Sequence, residues 1–111
     1  MVTFDTVREL AMALPEAEES TSYGTPSFKV RRKLFSRLRE DGVLMVRIDL
    51  ADKDFLIRSR PSVYFTTPHY DGYPAVLVRL DVIGKEELGR MLRAAWRFTA
   101  PPRLASQLDG Q

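Results

Sequence analysis

Between Lys29 and Arg39 the chain carries six basic residues (Lys29, Arg31, Arg32, Lys33, Arg37 and Arg39) and no acid. They are interleaved with Phe28, Val30, Leu34, Phe35 and Leu38. Cations at this density neutralise phosphates, and a ring among them, here Phe35, stacks on a base. The opposing account is a solvated hairpin whose charges block edge-to-edge pairing or meet the acids Glu16, Glu18 and Glu19. Further on, TTPHYDGYP (66–74) places His69, Tyr70 and Tyr73 in one loop between prolines. Such a loop suits a wing tip or the rim of a small pocket. For acid–base work His69 would need an orienting carboxylate, and Asp71 is the local one. Three carboxylates at Glu16, Glu18 and Glu19 are few for a hard-cation site, which needs several converging oxygens. With no cysteine and a single histidine, thiolate nucleophiles, disulfides and Cys/His metal sets are excluded. The expectation is no catalytic residue, no metal and no cofactor.

Periodicity supplies the elements that position these residues. Phe4, Val7, Leu10, Ala11 and Leu14 repeat at helical spacing behind a Thr3 cap, and Pro15 ends the run. The polar stretch from Glu16 to Tyr23 reads as a loop. A strand then begins near Ser27, Arg32-Lys33 is the turn, and Leu34 to Arg39 is the second strand. Asp41-Gly42 signals a tight turn into a third strand from Val43 to Ile48. Asp49 and Asp52 open a short helix closed by Pro61. Val63 to Thr66 and Ala75 to Leu80 read as strands four and five. A last helix from Gly84 or Lys85 turns Leu88, Met91, Leu92, Ala95 and Trp96 inward, and Pro101-Pro102 stops it before a short tail.

The order is α-β-β-β-α-β-β-α, which predicts an α+β two-layer sandwich: an antiparallel five-stranded sheet with helices on one face. Leu44, Val46, Ile48, Val76, Val78 and Leu80 then face the helices. Val43, Met45, Arg47, Leu77 and Arg79 face the other way. If Phe28 and Val30 point inward, Lys29 and Arg31 coat the open face. They are joined by either the Phe35, Arg37, Arg39 row or the Leu34, Ser36, Leu38 row, and charge favours the former.

At 111 residues the chain reads as one domain over 1–111. Net charge is only +2, but residues 1–26 hold five acids and one base, so the basic run stands apart. No apolar run reaches the roughly 18 residues of a membrane span. The start MVTFDTVREL lacks a basic n-region before an apolar core. The expected location is therefore the cytoplasm, with no membrane partner.

The segments FDTVRELAMALPEAEES, YGTPSFKVRRKLFSRL, VYFTTPHYDGYPAVLVRL and LRAAWRFTAPPRLA, in that order and spacing, resemble the bacterial YjbR/MmcQ family from about Thr3 to Leu104. The resemblance implies a frataxin-like (CyaY-like) fold and a "double wing" DNA-binding role. The family's Lys-x-Phe falls on Lys33 and Phe35, and its Pro-His on Pro68 and His69. Arg32 stands where relatives commonly have glycine, and Tyr73-Pro74-Ala75 where an aromatic such as Trp-Val is common. The function expected is a non-catalytic module that binds nucleic-acid backbone without sequence choice. Its contacts would be Lys29, Arg31, Arg32, Lys33, Phe35, Arg37 and Arg39, with His69, Tyr70 and Tyr73 in the second wing. The alternative is an adaptor that meets a protein, a second copy or a small ligand on the open sheet face, where Val43, Met45 and Leu77 would be exposed.

Overall fold

The computed structural model describes residues 2–39 and 42–109. Thr3 caps α1 (Phe4–Met12), accepting the Thr6 N–H on its side chain, and the helix buries Val7 and Ala11. Four strands follow: β1 (Ala17–Ser22), β2 (Thr25–Val30), β3 (Lys33–Leu38) and β4 (Val43–Arg47). Asp49 caps α2 (Leu50–Ser59) by accepting the Asp52 N–H at 2.8 Å, as the capping pair predicts. Then come β5 (Tyr64–Phe65), a single 3-10 turn (Pro68–Tyr70), β6 (Ala75–Arg79), α3 (Lys85–Thr99) and α4 (Pro102–Asp109). All pairings are antiparallel and the order across the sheet is β1-β2-β3-β4-β6-β5.

The inward set is as alternation predicts. Leu44, Val46, Ile48, Val76, Val78 and Leu80 join Phe28 and Val30 in one core with Val7, Leu88, Leu92, Ala95 and Trp96. Both α1 and α3 therefore pack on the same sheet face. The indole of Trp96 is fully buried and donates from Nε1 to the Pro15 carbonyl at 2.9 Å, tying α3 to the end of α1. Arg47 and Arg79 lie toward the other face, half-buried, over the rings of Tyr73 and Phe65.

Several expectations are corrected. The sheet has six strands, because the polar stretch after Pro15 is the edge strand β1. Its sequence AEESTS has no apolar alternation, since an edge strand of this kind rests on its hydrogen bonds to β2 and keeps its four central side chains exposed. The tail is also structured. Pro102 opens α4 rather than ending the chain's order, and Leu104 and Leu108 enter the core. The first basic turn is Arg31-Arg32, not Arg32-Lys33: both residues take positive φ (49° and 69°) between the paired Val30 and Lys33. Of the Asp41-Gly42 turn, Asp41 lies outside the described residues, while Gly42 takes φ 78°.

The largest correction concerns β3. Pairing steps from Lys29↔Leu34 to Phe28↔Ser36, so Phe35 is an extra residue bulged out of the ladder. Neither uniform row faces outward. Leu34, Arg37 and Arg39 lie on the outer side, while Phe35 and Leu38 pack in the helix-side core. Phe35 is fully buried at 6.5 Å from the Phe28 ring, so it is not available to stack on a base.

Candidate functional site

The outer face of the sheet is not left open. Residues 67–74 fold over it and seat Tyr70 with Met45, Ala75 and Leu77 in a second, smaller core, with Leu34, Val43 and Phe65 packed against it. Met45 and Leu77 are 2% and 0% exposed, so they do not offer the apolar interface expected of them. What holds the loop down is a residue that neither motif nor periodicity singles out. Lys53 of α2 is 4% exposed, and its ammonium donates to the carbonyls of Tyr70 (2.5 Å) and Tyr73 (2.8 Å). Burial pushes the Lys53 ammonium below its ordinary range, and Asp71 acts in the opposite direction. Arg47 closes the far end of the loop, donating from Nε to the Pro74 carbonyl at 3.1 Å.

Because the loop covers only part of the face, a cleft of about 850 Å³ remains between it and the β1–β2 turn. Leu34 and Met45 line it, together with Arg37, Arg39 and the rings of Tyr23, His69, Tyr70 and Tyr73. No carboxylate lines the cleft among the described residues. Arg37 spans the gap. Its guanidinium donates to Thr25 Oγ1 (3.1 Å) and to the Tyr70 hydroxyl (3.2 Å), and it lies 5.2 Å from the centroid of Tyr23. Both hydrogen-bond partners are neutral hydroxyls, so no carboxylate among the described residues cancels the Arg37 charge. Arg39 sits 5.9 Å from the Tyr70 centroid. The His69 ring meets Tyr70 edge-on at 5.0 Å, and Asp71 bears on Lys53 rather than serving as the orienting carboxylate of His69.

Tyr23 was also missed. It occupies the left-handed region (φ 55°) beside Gly24 (φ 80°) in a two-residue turn and is 86% exposed. The aromatic-glycine pair inside a polar stretch was the available signal for such a turn. A tyrosine held at positive φ costs of the order of 1 kcal/mol, and such strain gathers at sites of function.

The rest of the basic run divides. Lys29 pairs with Leu34 and shares its outer side, with Glu18 opposite on β1. Arg32 lies at the tip, and Lys33, opposite Val30, points to the helix side. Among the described residues none of these three forms an ion pair with a carboxylate. Arg31 does: it makes a two-pronged bond to Glu16 at 2.5 and 2.9 Å, which holds the Glu16 carboxyl below the usual carboxylate range. Glu19 is taken by Arg8 in the same way, at 2.7 and 3.1 Å, and is likewise lowered. Two of the three clustered acids thus serve ion pairs. No group of three or more His, Cys, Asp or Glu side chains converges as a metal set among the described residues.

Away from the cleft, Tyr64 and Arg60 both donate to Glu87, fastening β5 and the end of α2 to α3. Burial pushes the Tyr64 hydroxyl well above its ordinary value, and the bond to Glu87 adds to this. No helix among the described residues is long and apolar enough to cross a membrane.

Fold and site define a small α+β domain with helices on one face of an antiparallel sheet and a cationic, ring-lined cleft on the other. The chain belongs to the YjbR family, whose model matches residues 12–98. It is similar to the uncharacterized protein Rv2570 of Mycobacterium tuberculosis, 35% identical over 120 residues covering 94% of this chain and 93% of that one. The uncharacterized protein Mb2600 of Mycobacterium bovis matches with the same identity and the same coverage. Among solved structures, the Deinococcus radiodurans protein DR2400, with family-model domain DUF419, superposes with a TM-score of 0.76. That match is 24% identical and covers 88% of this chain and 78% of the other, a likeness of fold.

Proposed function

We propose that this domain is a non-catalytic, cytoplasmic binding module that holds nucleic-acid backbone without choosing its sequence. One observation carries the reading: Lys29, Arg37 and Arg39 share the outer side of the β2–β3 hairpin with the rings of Tyr23, His69, Tyr70 and Tyr73. Arg32 extends this charge to the hairpin tip. Arginine forks with rings beside them match phosphate and base together. Compared with the set expected from sequence, Phe35 and Lys33 leave the contact surface and Tyr23 enters it. Arg31 belongs to the Glu16 ion pair first and to any phosphate second. The frataxin-like topology that the resemblance implies is kept as part of this proposal, with β1 as its outermost strand.

Neutralised phosphates release counterions, so log affinity should fall with log salt by about 0.7–0.9 per contact, giving a slope of roughly −2 to −4 for three to five contacts. Fluorescence anisotropy with single- and double-stranded oligonucleotides across a salt series measures it. Changing Lys29 and Arg32 together to alanine should flatten the slope by about 1.5 units and weaken all sequences alike. Absence of salt-dependent binding even at about 20 mM salt would leave the hairpin a solvated edge.

A second reading is favoured by the cleft itself. Its volume of about 850 Å³ lies within the range of small-molecule sites, and its floor of Leu34 and Met45 is apolar. A small anionic ligand bound there would make the domain an adaptor rather than a nucleic-acid module.

A further inference from the structure

We propose that the cleft is a recognition site for one nucleotide unit, with the phosphate at Arg37 and Arg39 and the base against the exposed rings of Tyr23 and Tyr73. The inference rests on the nucleic-acid reading for its choice of ligand chemistry, and it adds a defined pocket to a diffuse basic surface. Three features of the cleft point to that unit. Arg37 is held in place before any ligand arrives, by two neutral hydroxyls and the Tyr23 ring. Of the five N–H donors of a guanidinium, those two bonds use two, which leaves a fork with full charge for a phosphate oxygen pair. Phosphate chemistry also fits the absence of lining carboxylates among the described residues. The rings then supply what an inorganic anion does not need. Tyr23 is 86% and Tyr73 42% exposed, although both lie over an apolar floor. Tyr23 is kept there at positive φ against the ordinary preference of a tyrosine. A base stacks on such rings whatever its identity. Lys53 is the positioning residue of this site: through the Tyr70 and Tyr73 carbonyls it fixes the loop that forms one wall.

The nucleotide can come from solution or from a strand, and the chemistry recognised is shared. Amide NMR titrations with adenosine 5′-monophosphate, adenosine, inorganic phosphate and a 5′-phosphorylated trinucleotide separate the two. The monophosphate should give saturable shifts at Gly24, Leu34, Arg37, Met45 and Tyr73, with adenosine and phosphate each binding at least about tenfold more weakly. Tyr23→Gly removes the ring while relieving the backbone strain, so the fold is kept; affinity should drop roughly 5- to 100-fold. Arg37→Lys keeps the charge without the fork and should cost about tenfold. If the trinucleotide binds more than tenfold tighter, the source is a strand; equal affinity assigns a free nucleotide. Lack of saturable cleft shifts at about 10 mM monophosphate, or unchanged affinity in Tyr23→Gly, overturns the inference. Salt-dependent strand binding without cleft shifts would sink this site alone. Cleft shifts without strand binding would sink the module reading alone.

Discussion

Phe35 and Leu34 are adjacent, and the sheet sends them to opposite faces with very different consequences. Phe35 is fully buried against Phe28, whereas Leu34 lies half-buried at the floor of the cleft. Phe35→Ala should cost about 3–5 kcal/mol in urea unfolding, as a large core truncation does. Had the ring been an exposed stacking platform, the same change would leave stability within about 0.5 kcal/mol. Lys53 makes a second test at this scale. Lys53→Met strips two loop carbonyls of their donor and should cost about 1–3 kcal/mol, read as faster amide exchange over 68–73. Its titration has a definite sign. The folded value lies below the ordinary 10.5, so between the two the unfolded chain holds a proton that the folded chain has shed. Raising pH through that window therefore stabilises the wild-type fold, and Lys53→Met removes this alkaline gain. Glu16 and Glu19 have the same sign in an acidic window. Both are lowered from 4.5 by their arginine partners, so the stability they lend is full above about pH 4.5 and lost as pH falls through their folded values. Thermal melts of Glu19→Gln between pH 3 and 6 should show a flatter acid limb than wild type.

Among the elements, the β2–β3 hairpin and α4 carry the clearest expectations. The Arg31-Arg32 turn has the two positive φ values that suit Asn-Gly, and arginine pays for them in backbone strain. Arg32→Gly should stabilise the domain by roughly 0.5–1 kcal/mol in urea unfolding while weakening nucleic-acid binding at low salt. A stability loss instead would mean that the Arg32 side chain makes contacts that outweigh its strain. For α4, Leu104 is 2% exposed in the main core, so Leu104→Ala should cost about 2–5 kcal/mol. A loose tail would tolerate that change, and calorimetry of the variant distinguishes the two.

On the scale of the molecule, the sheet separates two apolar clusters of unequal size. The larger one holds Trp96, and the smaller one holds the loop that walls the cleft. Few apolar partners secure that loop, so it should open in events well below the global unfolding free energy, with 68–73 exchanging faster than the amides of β4 and β6. Trp96 is the single tryptophan, fully buried behind the sheet. Its emission maximum should stay fixed as the cleft fills and shift red only on global unfolding. A shift on adding mononucleotide would show that occupancy of one face is felt through to the other.

By itself the sequence determined α1, α2, α3 and the inner rows of β4 and β6. The periods of 3.6 and 2 in FDTVRELAM, VLMVR, AVLVR and α3 record which side of each element must leave water, a demand made residue by residue. It determined the family resemblance by the same local means. The edge strand β1 was illegible because Glu18 to Thr21 are exposed on both its faces, so hydrogen bonds to β2 define it and no side-chain pattern does. The outward row of β3 was decided only in three dimensions. Phe35 needs the core and Arg37 needs the outer side, and strict alternation cannot give both; one bulged residue does, and its place depends on the strand opposite. The cleft was decided likewise. Tyr23, Arg37 and Tyr70 are far apart in the chain and meet because Lys53, on a helix that lines no part of the cleft, binds two carbonyls of the loop. A buried ammonium holding backbone oxygens leaves no trace in periodicity or composition, since carbonyls belong to every residue alike.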